Sequence, residues 1–145
     1  MILLNPADLS RHYPDEKSRD LMRKLVEFFE QRGNDQIQQD YYAHEWYGDF
    51  LEFVGREQIF ATMSTPAGYG AEDSRWDTWR ICEFAEILGF YGLQYWYTWQ
   101  VSVLGLGPIW MSDNEAIKSR TARLLQDGAI FAFGLSEKTH GADIY

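Results

Sequence analysis

The stretch Ile130-Phe131-Ala132-Phe133-Gly134-Leu135-Ser136-Glu137-Lys138-Thr139-His140-Gly141-Ala142-Asp143-Ile144-Tyr145 decides how this chain is read. A short apolar run leads into a Ser-Glu turn and then into a polar loop. Everything before it carries helical patterning. A strand needs neighbours and an apolar face to be stable, and nothing upstream offers them. The expectation is therefore an all-α unit followed by one terminal β-strand, Ile130 to Leu135. That strand would open a second unit that continues beyond residue 145. Residues 1–14 read as an irregular arm, 15–128 as a helical domain and 129–145 as the truncated start of a β-domain.

Working outward, the helix signals are local. Asp15 and Glu16 favour the positive start of a helix from about Asp15 to Arg32, and Gly33 is a natural stop. Leu21, Leu25, Phe28 and Phe29 fall on one stripe, with Met22 and Val26 beside it. Asn34-Asp35 can cap a second helix reaching about Met63, with a break at Gly48. Trp46, Phe50, Phe53, Ile59, Phe60 and Met63 are its apolar positions. Ser64 to Gly70 is a loop by composition. Asp77 is a good N-cap for a third helix carrying Ile81, Cys82, Phe84, Ala85 and Leu88. A fourth, from about Leu93 to Leu104, is apolar nearly all round, as a helix buried on several sides would be. Gly105-Leu106-Gly107-Pro108 predicts a break. Ser112-Asp113-Asn114-Glu115 is a capping box that opens a last helix ending at Asp127-Gly128.

Composition narrows the class. Of the residues, 46% are hydrophobic and 17% aromatic, with six Trp, nine Tyr and nine Phe. That is enough for one domain with a real core. The net charge of −9 argues against nucleic acid, whose non-specific binding runs on Lys and Arg. An anionic ligand held by backbone N–H groups stays open. The lone Cys82 excludes an internal disulfide and a Cys-based zinc site. Its place in a helical pattern predicts a small core residue. His12, His44 and His140 share no metal-ligand spacing, so no metal is expected. No stretch suits a membrane span, and a cytoplasmic setting is expected.

Several motifs carry a resemblance. Phe133-Gly134-Leu135-Ser136-Glu137 followed by Gly141-Ala142-Asp143 resembles the stretch in acyl-CoA dehydrogenases where the N-terminal helical domain meets the β-domain. Gly105-Leu106-Gly107-Pro108-Ile109 and Asn114-Glu115-Ala116-Ile117-Lys118 are similar to that family's Gly-x-x-Pro-Ile and Asn-Glu-x-x-Lys elements. Leu124-Leu125-Gln126-Asp127-Gly128 stands where the family has a Leu-x-x-Gly turn. The likeness covers residues 100–145; from 15 to 99 it rests on helix number and order. The turn departs from the family form, because Lys138-Thr139-His140 replaces Pro-Gly-Ala and Ala142 replaces Ser.

The resemblance implies an N-terminal helical bundle of the acyl-CoA dehydrogenase type. The complete protein would be an FAD-dependent oxidoreductase of fatty acid metabolism, converting an acyl-CoA thioester to its 2,3-enoyl product. It would pass electrons to an electron-transfer flavoprotein or, in an oxidase-like member, to oxygen. It would assemble as a homotetramer. Main chain at Phe133 and Leu135 and the hydroxyl of Ser136 would meet the flavin, and Gly141 and Ala142 would offer backbone donors to its pyrophosphate. Trp96, Tyr97, Gln100, Val101 and Leu104 would line the acyl pocket. The family's catalytic Glu lies in a C-terminal helical domain, so no catalytic residue is expected in this chain, and the chain alone would be inactive. The residues also admit a rival: a helical module without redox chemistry, holding an apolar ligand or a partner helix in a cleft lined by Trp and Tyr.

Overall fold

The computed structural model describes Asn5, Asp8, residues 13–135 and residues 137–141. Its described residues form seven helices: α1 (Glu16–Arg32), α2 (Asn34–Ala43), α3 (Gly48–Arg56), α4 (Ile59–Ser64), α5 (Thr78–Tyr91), α6 (Leu93–Met111) and α7 (Glu115–Gln126). The chain is therefore all-α over this range.

Three helices start where short polar side chains satisfy the first free N–H groups. Asp15 accepts from Ser18 N–H at 2.7 Å, Asp77 from Arg80 N–H at 2.9 Å and Asn114 from Ile117 N–H at 3.0 Å. The expected second helix is instead three helices: α3 begins at the expected break, Gly48, and a further break falls at Gln58. The chain leaves α2 through His44 in the left-handed conformation (φ 58°) and enters α4 through Gln58 in the same conformation (φ 56°). At His44 the turn is closed by Glu45 N–H donating to Asp40 C=O and His44 N–H donating to Tyr41 C=O, a Schellman arrangement that usually takes glycine. At Gln58 the side-chain amide donates to Gly55 C=O and to Gln126 C=O, at 2.8 and 2.7 Å. It thereby joins the ends of α3 and α7.

α6 corrects a second expectation. It runs through Gly105-Leu106-Gly107-Pro108 without a break. Proline removes one backbone bond and crowds the preceding turn, at a cost of ~3 kcal/mol in a helix interior. Here the residues around it are anchored. Leu106 is fully buried, and Trp110 packs against the core. Burying side chains of that size is worth about 1.5–3 kcal/mol each, so packing carries the helix across the proline.

One contiguous core unites the helices. α1 packs on α2 and α5, α5 on α6, α3 on α4, and α7 on α4 and α6. Aromatic rings form its spine. Phe29 stacks on Tyr91 at 4.6 Å and meets Tyr95 edge-on at 4.9 Å; Trp99 meets Phe84 at 4.8 Å and Phe60 at 5.0 Å. Offset and edge-to-face geometries of this kind add to simple burial. Tyr13, from the expected arm, is also buried and sits edge-on to Trp79.

At the edge of this core lies a polar knot. Arg80 is 0% exposed. Its guanidinium donates to Ser18 Oγ at 2.9 Å, to Asp73 C=O at 2.8 Å and to Asp15 Oδ1 at 3.2 Å. Ser18 Oγ in turn donates to Asp15 Oδ2 at 2.9 Å, and Arg75 pairs with both Asp15 and Asp77. The knot ties the starts of α1 and α5 together. Two side chains depart from expectation in the opposite sense. Cys82 is exposed rather than in the core, because α5 turns Phe84, Ile87 and Leu88 inward. Trp46 is exposed too, because it falls in the link between α2 and α3 rather than on a helix.

Candidate functional site

The expected terminal strand is not formed among the described residues. Ile130 to Leu135 forms neither helix nor ladder, and the isolated bridge from Glu137 to His140 closes a tight turn after it. The reason is the one that made the strand doubtful as an independent unit: a lone β-segment has nothing to pair with. Instead the run docks on α6. The Ser102 hydroxyl donates to Phe131 C=O at 3.0 Å and accepts from Phe131 N–H at 3.4 Å. One turn further along, Gly105 faces the backbone of Ala132. A Cβ built there would lie 2.6 Å from the Ala132 carbonyl oxygen. Gly105 is thus needed for close approach of two backbones, not for ending a helix.

Beyond this docking point the expected flavin-edge residues diverge. Phe133 and Leu135 are exposed, as is Gly141. Ser136 and Ala142 lie outside the described residues. Glu137 belongs to the bridged turn, and Lys138 and His140 are exposed within it.

The expected pocket-wall residues lie on α6. At 100° per residue, Leu93, Tyr97, Gln100, Val101, Leu104, Pro108 and Met111 fall on one face of this 19-residue helix. Tyr97 is 60% and Leu104 45% exposed, Leu93 and Met111 are exposed further still, and Gln100 and Val101 are half-buried. Trp96 parts from this set, turned a step round the helix to pack against the core. α6 is therefore open along one side and not buried all round. Its opposite face supplies Tyr95, Thr98, Trp99, Ser102 and Leu106 to the interior. Gly105 stands between the open stripe and the buried face that carries Ser102, so the docked run is held on the core side of that stripe. A contiguous apolar face of this length is what a partner surface or an apolar ligand would cover.

A second feature was not legible in the sequence. A cleft of ≈260 Å³ opens where the end of α2 and the link to α3 meet the start of α6. Arg32, Asp40, Tyr41, Glu45, Trp46 and Tyr47 are among the residues lining it. Arg32 pairs with Asp40 and with Asp49. The Arg32 bond, helped by one from Gln36, holds the Asp40 carboxyl below its ordinary range. Tyr47 is fixed by a 2.7 Å hydrogen bond between its hydroxyl and that of Thr98. Trp46 stacks on Tyr47 at 4.6 Å and 27°. The residues come from three helices, α1, α2 and α6, and from the link after α2, which the left-handed turn at His44 folds back toward them.

Among the described residues no group of three or more His, Cys, Asp and Glu side chains gathers as a metal would require, and no helix is long and apolar enough to cross a membrane. Comparisons with protein-family models, with curated proteins and with solved structures return no match to this chain.

Proposed function

We propose that this chain is the helical part of a flavoprotein of the acyl-CoA dehydrogenase type, with the open face of α6 set against the acyl group. One observation carries the reading. The residues that the resemblance assigns to the pocket wall and to the flavin edge, Tyr97 and Leu104 on α6 and Phe133 and Leu135 after it, are large apolar side chains left exposed. They lie on one helix face and on the run that docks on the same helix. Large apolar groups left at the surface in such a pattern mark a surface that meets something else.

The described residues fit one edge of an FAD. Main chain at Phe133 and Leu135 belongs to no ladder, so its N–H and C=O groups can pair with the rim of a flat ring. The backbone of Gly141 sits in an exposed turn, where N–H groups suit a phosphate. When bound, FAD supplies the acceptor for the hydride that leaves the acyl chain. The residues of this chain bind and orient. Tyr97, Val101 and Leu104 exclude water from the acyl group, and Gln100 offers a polar contact between them. Ser102 and Gly105 hold the Phe131–Ala132 backbone against α6, which fixes the distance between the two surfaces. Removal of the proton next to the thioester carbonyl is assigned to no residue here. In this reading the complete protein yields a 2,3-enoyl-CoA, uses an electron-transfer flavoprotein or oxygen as acceptor and assembles as a homotetramer.

The test uses the full-length gene product. A yellow protein whose visible flavin bands bleach when an acyl-CoA is added without oxygen is expected. A folded but colourless preparation that takes up no FAD overturns the proposal. That outcome would favour the second reading, a helical binding module. The specific observation behind it is the same stripe on α6, whose spacing also suits an apposed helix.

A further inference from the structure

We propose that the cleft between the end of α2, the α2–α3 link and the start of α6 binds a small organic cation of the alkylated-ammonium class. The argument is independent of the flavoprotein reading, because none of the cleft residues belongs to the expected acyl wall or flavin edge.

Three observations point to this ligand. The first is the wall material. Tyr41 and Trp46 are 58% and 69% exposed, and Tyr47 lies beneath Trp46 with its hydroxyl held by Thr98. Aromatic faces left open around a cleft attract a cation through the ring quadrupole, and Trp does so best. The second is the charge. The single guanidinium in the cleft, Arg32, is already shared between Asp40 and Asp49, and Glu45 adds a further carboxylate to the lining. A bound anion would face this excess of negative charge within a chain of net charge −9. A purely apolar ligand would strip water from the carboxylates without replacing it. A cation with an apolar shell answers both the rings and the carboxylates. The third is size. At ≈260 Å³ the cleft falls below the ~300–1,000 Å³ range of drug-sized sites, which suits a choline-like head rather than an extended molecule.

The geometry also gives the cleft a fixed shape. The left-handed His44 reverses the chain after α2, so that Glu45, Trp46 and Tyr47 fold back over Arg32 and Asp40. The hydrogen bond from Tyr47 to Thr98 and the edge-on contact of Tyr47 with Tyr95 at 5.5 Å anchor that fold-back to α6. A Tyr47 ring held in this way loses little freedom on binding, which favours affinity.

The experiment titrates the full-length protein with choline chloride, with sodium chloride holding ionic strength constant. Binding is read by saturation transfer to the trimethylammonium protons and by calorimetry. Millimolar binding is expected, with Trp46→Ala weakening it about tenfold and Glu45→Gln weakening it by a smaller factor. Both side chains are exposed, so both variants keep the wild-type circular dichroism spectrum. The neutral isostere 3,3-dimethylbutan-1-ol is expected to bind at least about tenfold more weakly. Absence of choline binding, unchanged affinity in Trp46→Ala, or equal binding of the neutral isostere would each overturn the proposal.

Discussion

Replacing Asp15 by Asn isolates what one charge contributes to this fold. Asn caps a helix about as well as Asp, so the bond to Ser18 N–H can persist. What disappears is the carboxylate that faces the buried Arg80 and the partly buried Arg75. Arg80 then keeps Ser18 Oγ and the Asp73 carbonyl but loses its counter-charge. Charge-assisted hydrogen bonds contribute about 1.5–3 kcal/mol each, and stranding a fully buried charge costs about 3–5 kcal/mol. Asp15 is itself partly open to water and Arg80 keeps two neutral acceptors, so a loss near the lower end, about 2 kcal/mol, is expected at pH 7. The pH dependence follows from the direction of the Asp15 shift. Burial pushes its carboxyl up, but the Arg75 bond, the two Ser18 bonds and the Arg80 charge outweigh it and hold it well below the usual carboxylate range. A lowered folded-state pKa means stability that is fully present above the unfolded value, ~3.9, and that is lost as pH falls through the folded-state value. The gap between wild type and D15N should therefore be largest from about pH 5 upward and shrink in stronger acid. Urea unfolding of both proteins at pH 7 and at pH 3 measures it. A gap under about 0.5 kcal/mol at pH 7, or one that does not change with pH, would refute the view that this knot holds α1 to α5 by charge.

Three further outcomes are expected. Gly105→Ala drives a Cβ into the Ala132 carbonyl, so the run after Ala129 should detach. Faster amide exchange over residues 130–135, with a stability loss of about 1–3 kcal/mol, checks this. His44→Gly relieves a left-handed non-glycine residue and should stabilise the protein by up to about 1 kcal/mol in thermal or urea melts. Gln58→Gly, which also removes two side-chain bonds, should not. Cys82 is exposed and should react with one equivalent of an aromatic disulfide reagent in the native state; protection until unfolding would show it buried after all.

Some of this architecture could be read from the residues alone. The starts of α1 and α5 were legible because a cap is a transaction among neighbours: Asp15 and Asp77 each accept from the N–H three residues on; the capping box marked the start of α7 but placed the cap at Ser112, whereas Asn114 fills it. The apolar stripe of α1 was legible because Leu21, Met22, Leu25, Val26 and Phe29 repeat at the period of the helix. Of the five α6 positions that the resemblance assigns to a pocket wall, all but Trp96 share a face. The interruption before Gly48 was legible, but the left-handed turns at His44 and Gln58 were not, because neither residue type signals one. Both conformations are held by partners within the turn or, for Gln58, on α7. Arg80 gave no local hint of burial, since its partners lie 62 and 65 positions away in Ser18 and Asp15.

α6 draws the line between the two kinds of information. Local chemistry determined that Leu93 begins a helix rich in apolar residues, that the polar stretch Ser112 to Glu115 opens the next one, and that this last helix runs to Gln126. Only packing decided that α6 continues through Pro108, that its Ser102 and Gly105 receive the Phe131–Ala132 backbone, and that one of its faces stays open. The physical reason is range. Caps and periodicity act within a turn or two, whereas the burial that overrides a proline, and the second backbone that a glycine admits, come from segments far along the chain.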